Sequence, residues 1–121
     1  MRRSLHSLNS KLGQRLLVAI RFLITRREQI ISLAARHRMP GIYPVREYVA
    51  AGGLVSYGNN LTEAYRHAGL YVGRILRGAK PSDLPIERLS KFEFVINLTT
   101  ARALGLTVPA SFLSLADELI E

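Results

Sequence analysis

The chain has 121 residues, no cysteine and a formal net charge of +8, with 48% hydrophobic residues. That is enough for one modest domain with its own core, and the lack of cysteine excludes a disulfide framework, a thiolate metal site and a thiol nucleophile. The charge is lopsided: residues 1–27 carry seven basic groups and no acid, while residues 28–121 carry ten basic and nine acidic groups. The body of the chain is therefore near neutral and lacks the footprint of a protein that tracks a phosphate backbone, so no nucleic-acid partner is expected of it.

Residues 1–24 form a basic N-terminal extension of helical or irregular character. Residues 16–24 are apolar but interrupted by Arg21. No run is long enough to span a bilayer, and no clear apolar region with a small-residue cleavage site marks a signal peptide. A transit peptide or a surface-binding amphipathic helix fits the same composition. From Thr25 the text becomes regular. Thr25 and Glu28 have the spacing of a capping box, Ile30, Ile31, Leu33 and Ala34 supply a helical apolar face, and Pro40 closes the element.

Residues 41–43 are a short strand candidate. Pro44 suits a first helical position, with Val45, Tyr48 and Val49 at helical spacing and Gly52-Gly53 as the stop. Residues 54–57 are a second strand, followed by a turn-like Tyr57-Gly58-Asn59-Asn60. Asn60 and Glu63 then repeat the capping pattern ahead of the clearest helix in the chain. Its face comprises Leu61, Ala64, Tyr65, Ala68, Val72, Ile75 and Leu76, and Gly78 is its stop. Gly69 and Gly73 cost about 1 kcal/mol each in mid-helix, which close packing against another backbone would explain.

Residues 81–85 read as a linker. Residues 92–98 alternate, with Phe92, Phe94, Ile96 and Leu98 on one side, as in a half-buried strand. Thr99 or Thr100 opens a short helix closed by Gly105, and residues 111–120 read as a terminal amphipathic helix with Phe112, Leu115 and Leu119 inward. Helices alternating with three strands predict an α/β sheet. Three strands alone leave exposed edges and faces, so the chain reads as part of something larger.

His6, His37 and His67 are scattered, with no metal-ligand spacing. No nucleophile elbow or phosphate-cradling loop occurs, and Glu47 and Glu63 form no evident acid–base pair. An independent enzyme ranks last, and no catalytic residue, metal or cofactor is assigned. Tyr43, Ser56, Tyr57 and Asn59 are the candidate binding residues: aromatic rings beside hydroxyl and amide groups at strand ends suit a pocket with an apolar body and a few fixed polar contacts. The competing role for the two tyrosines is packing with exposed hydroxyls. A further alternative is a small basic protein that binds nucleic acid or a membrane surface through residues 1–27.

Three stretches carry a family resemblance: GGLVSYG at 52–58, ILRGAKPSDLP at 75–85, and the strand at 92–98 with residues 99–109 after it. In order and spacing, residues 25–121 resemble the C-terminal part of ABC transporter substrate-binding proteins, within a group some of whose members bind aromatic amino acids. The resemblance implies part of a type I periplasmic-binding-protein fold, a three-layer α/β architecture of two lobes joined by crossing strands. It places residues 57–60 near a lobe crossing, the helix after Asn60 in one lobe and the strand at 92–98 back in the other. It implies hinge closure on a small organic solute such as an amino acid, a membrane permease as partner, and a periplasmic location for the family. Such proteins are roughly 300 residues long, so a truncated copy is expected. Such a copy, with no clear export signal, could remain cytoplasmic and self-associate through exposed lobe surfaces.

Overall fold

The computed structural model describes residues 21–88 and 90–121. In chain order these form α1 (Arg27–Arg36), β1 (Ile42–Tyr43), α2 (Arg46–Ala50), β2 (Val55–Asn59), α3 (Leu61–Leu76), a 3-10 turn (Pro81–Asp83), β3 (Phe92–Asn97), α4 (Leu98–Ala103), α5 (Ala110–Leu115) and β4 (Glu118–Ile120). The four strands make one mixed sheet in the order β1-β2-β3-β4. β1 runs parallel to β2, β2 antiparallel to β3, and β3 parallel to β4.

Paired residues on neighbouring strands share a face, so the register divides the sheet. Tyr43, Ser56 and Val95 lie on one face, which α2 covers. Ile42, Val55, Tyr57, Phe94 and Ile96 lie on the other. The apolar core is small: Ile31, Tyr48, Val49, Val95, Ile96 and Ala101 are buried, together with polar Ser56 and Asn97. Asn97 joins three elements. Its Oδ1 accepts the Thr100 N–H at 2.9 Å and so caps α4, while its Nδ2 donates to the Val49 carbonyl at 3.1 Å.

Several expectations change. The Thr25 capping box does not form: residues 21–25 are already helical, and the Thr25 hydroxyl donates backward to the Phe22 carbonyl. The next helix, α1, begins only after Arg26, which takes the capping position in place of Thr25 and makes no side-chain cap hydrogen bond. α2 starts after Val45 rather than at Pro44. β2 runs on through Gly58 and Asn59, because pairing with Glu93 and Phe92 extends the ladder over residues that look like a turn. Asn97, not Thr99 or Thr100, opens α4.

The largest change is at the end of the chain. Residues 111–120 are not one helix: α5 stops at Leu115, and residues 118–120 add a fourth strand beside β3. Asp117 anchors the switch, since its N–H donates to the Phe94 carbonyl and its carboxylate accepts the Phe94 N–H, each at 2.8 Å. Arg46 then clamps Glu118 with two hydrogen bonds of 2.6 Å. Leu115 is left 71% exposed instead of inward.

α3 is present where expected, with Asn60 Oδ1 accepting the Glu63 N–H at 3.0 Å. Its apolar face is not covered, however. No α3 residue is buried, and the helix meets the other described elements only through isolated contacts. Tyr65, Val72 and Leu76 stand open to solvent, and nothing approaches Gly69 or Gly73. The packing expected to explain those two glycines is not made within the described residues.

Candidate functional site

The four candidate residues do not converge on one point. Strand alternation sends Ser56 and Tyr57, neighbours on β2, to opposite faces, and the register puts Tyr43 with Ser56. The Tyr43 ring stacks on Tyr48, with centroids 5.1 Å apart and planes 11° from parallel. It lines an apolar hollow of about 330 Å³ with Leu23, Ile24, Ile30, Pro44 and Tyr48. Burial pushes the Tyr43 phenol above its ordinary pKa, and the neighbouring Tyr48 phenol adds to the shift. Ser56 is 1% exposed beneath α2.

Tyr57 and Asn59 lie together on the other face, at the end of β2 that leads into α3. Tyr57 is 59% exposed. Its ring stacks on Phe92 at 5.4 Å and 14° and meets the edge of Phe94 at 6.3 Å and 74°. Phe94 in turn meets Phe112 edge-on at 6.3 Å. Beside this aromatic row runs an apolar groove of about 350 Å³ between the sheet and the loop before α5, lined among others by Tyr57, Phe94, Ile96, Leu106, Val108 and Phe112. Stacked and edge-on rings give a flat apolar surface. The Tyr57 hydroxyl supplies a polar atom there, and Asn59, paired with Phe92, follows on the same face of β2; apolar surface with a few polar groups is the combination that orients a small organic molecule.

A second, polar hollow of about 120 Å³ opens where α3 leaves the sheet. Asn60, Glu63, His67, Arg88, Ser90 and Lys91 line it. Sequence patterning identifies Asn60 and Glu63 only as a helix cap. Arg88, Ser90 and Lys91 belong to no motif, so only the return of the chain from α3 to β3 brings this set together. Glu47 has one carboxylate oxygen buried without a hydrogen-bond partner among the described residues. No group of three His, Asp or Glu side chains is placed to hold a metal among the described residues, and no described helix is long and apolar enough to cross a membrane.

The fold of this chain is similar to that of solved structures. A conserved domain protein from Vibrio cholerae is 28% identical with a TM-score of 0.74, the match covering 80% of this chain and 33% of that one. An ABC domain in complex with L-Trp from Streptococcus pneumoniae is 31% identical with a TM-score of 0.68, covering 75% of this chain and 32% of that one. Among curated proteins none matches. The fold is thus part of a periplasmic-binding-protein-like α/β architecture. The family model for ABC transporter substrate binding proteins matches residues 7–120, and the chain belongs to that family of solute-binding proteins, which typically work outside the cytoplasm. It spans about one third of the length of the solved chains it matches. The match begins at residue 7, ahead of the division expected at 24/25, and residues 1–20 lie outside the described structure.

Proposed function

We propose that this chain acts as part of the substrate-binding component of an ABC-type import system, holding a small organic solute by hinge closure and presenting it to a membrane permease outside the cytoplasm. The observation that carries this is the L-Trp complex of the Streptococcus pneumoniae relative, taken with an exposed aromatic row of this chain at the strand end that leads into α3. An amino acid with an aromatic side chain is the solute that such a row suits. Tyr57 and Asn59 would touch it. Tyr43 and Ser56, on the covered face, would support the same strands from behind. The role is binding and release, with no bond made or broken.

A chain covering a third of its structural relatives supplies only part of a two-lobed ligand shell, so its own affinity is expected to be weak, on the order of 1 mM. The test is a titration of the full chain with L-tryptophan, followed by amide NMR. Saturable shifts confined to the Tyr57–Asn59 strand end, lost in Tyr57→Ala, support the proposal. Shifts absent there, or unaffected by Tyr57→Ala, refute it. Micromolar affinity would show that the ligand shell is complete, contrary to expectation.

A further inference from the structure

α3 and the chain that returns from it form a unit of their own. His67 Nδ1 lies 2.9 Å from Glu87 Oε2, and the Tyr71 hydroxyl donates to the Pro85 carbonyl. This unit joins the sheet through the end of β2 and the start of β3, where Asn59 pairs with Phe92. Asn60 stands at that junction and uses both ends of its amide. The oxygen caps α3 through the Glu63 N–H at 3.0 Å, and the nitrogen donates to Glu93 Oε2 at 3.1 Å. Glu93 belongs to β3 and pairs with Gly58. Among the described residues, this is the one side-chain hydrogen bond from the α3 unit to the sheet.

The neighbourhood makes that single bond count. The strand beneath it is fixed, because a side-chain carbon at Gly58 would fall 1.9 Å from the Pro44 carbonyl oxygen. α3 above it has no substantial packing to set its direction. An amide donating to a carboxylate is a charge-assisted bond, stronger than its neutral counterpart. A rigid helix of 16 residues is about 24 Å long, so a small rotation at Asn60 becomes a large displacement at Leu76.

We propose that Asn60 is a positioning residue: by holding Glu93 while capping α3, it sets the angle at which α3 leaves the sheet. In a protein that works by hinge closure, that angle governs how readily the two sides of the junction come together. The purpose rests on the solute-binding proposal; the geometry does not.

The capping and tethering roles separate by substitution. Asn60→Asp keeps the capping oxygen but replaces the donor with a second carboxylate facing Glu93. Glu93→Ala removes the acceptor and leaves the cap intact, and Glu93→Gln keeps an acceptor oxygen. The chain has no cysteine, so Arg66→Cys on α3 and Arg102→Cys on α4, both exposed, take a pair of nitroxides in an otherwise unlabelled background. Dipolar spectroscopy then reads the spread of distances between them. Asn60→Asp and Glu93→Ala should broaden that spread about twofold, as expected when one conformer gives way to several, with far-UV circular dichroism unchanged. Glu93→Gln should keep the background distribution. A background-like distribution in both Asn60→Asp and Glu93→Ala overturns the proposal, and so does broadening that appears only with loss of helix. Adding L-tryptophan separates the two claims: if it leaves every distribution unchanged while Asn60→Asp and Glu93→Ala remain broad, the positioning role stands and the solute assignment falls.

Discussion

Replacing Asn97 by alanine should remove two hydrogen bonds that hold the sheet, α2 and α4 together. The first is the α4 cap, the Thr100 N–H to Oδ1 at 2.9 Å, and losing such a cap costs about 1 kcal/mol. The second runs from Nδ2 to the Val49 carbonyl at 3.1 Å. That carbonyl also accepts the Gly52 N–H at 3.1 Å, so it is not orphaned, and the second loss is a net hydrogen bond of about 0.5–1.5 kcal/mol. The sum is roughly 1.5–2.5 kcal/mol before any cavity forms. In urea, with a slope of about 1–1.5 kcal/mol per molar for a domain of this size, the unfolding midpoint should fall by about 1–2.5 M with the slope unchanged. Asn97→Asp sharpens the test. It keeps the cap but sets a carboxylate against the Val49 carbonyl at a site only 6% exposed. Such a carboxyl has a folded-state pKa above its unfolded one, so the variant should be weakest at neutral pH and recover as pH falls and the protonated acid becomes a donor. Alanine shifting the midpoint by less than about 0.3 M, or aspartate matching the parent at every pH, would refute the assignment of Asn97 as a three-way joint.

Three more outcomes follow from single contacts. Gly58→Ala should abolish cooperative unfolding or lower stability by at least about 2 kcal/mol, because the new carbon would sit 1.9 Å from the Pro44 carbonyl oxygen, a backbone atom that cannot step aside; denaturant unfolding reads it. Arg38 closes α1 at a φ of +50°, with the Met39 N–H returning to the Ala34 carbonyl, the place in this motif that glycine normally fills. Arg38→Gly should therefore stabilise the chain by about 0.5–1 kcal/mol, measured as a raised urea midpoint. The hydrogen bonds from Arg46 hold the Glu118 carboxyl below its ordinary pKa of 4.5. A depressed folded-state value contributes stability above the unfolded pKa that disappears as pH falls through the folded one. The side chains are 39% and 36% exposed, so the effect is under about 1 kcal/mol. Glu118→Gln should lose that amount at neutral pH and flatten the acid limb of the stability profile.

The elements that alternation and capping specify locally were legible. β2, α3 and β3 each carry their own period, and Asn60 and Gly78 mark the two ends of α3. β4 was not legible, since residues 117–120 satisfy a helical pattern equally well. What makes them a strand is β3 alongside, the Asp117–Phe94 exchange and the Arg46 clamp from 72 residues away, none of them local. Thr25 shows the opposite failure: the capping spacing is real, but Thr25 ends the preceding helical turn, its hydroxyl bonds backward to Phe22, and α1 starts only after Arg26. In the candidate site, the separation of Ser56 from Tyr57 follows from strand alternation alone. The pairing of Tyr43 with Ser56, and of Tyr57 with Phe94, depends on register. The cluster of Arg88, Ser90 and Lys91 near Asn60 depends on how a long excursion returns, and no spacing rule encodes that.

The packing is uneven in a way that bears on function. On the α2 side, Val49 and Val95 are wholly enclosed and even the serine is sealed in. At the junction with α3 and along that helix the same chain leaves Tyr57, Phe92, Tyr65, Val72 and Leu76 open. A helix of this length without tertiary support is marginal in water, yet α3 carries a side-chain cap at one end and a left-handed glycine at the other. Local signals strong enough to form the helix, combined with an apolar stripe that no described element covers, make α3 a preformed body on a narrow attachment. Its direction costs little to change, because few contacts must break, and a surface that met the stripe better in one orientation would favour that orientation by the difference in contact free energy. The hinge closure proposed for this chain would use that distribution of rigidity: a stiff sheet, a stiff helix and a compliant joint between them, with the hydrogen bond from Asn60 to Glu93 proposed to set the resting angle.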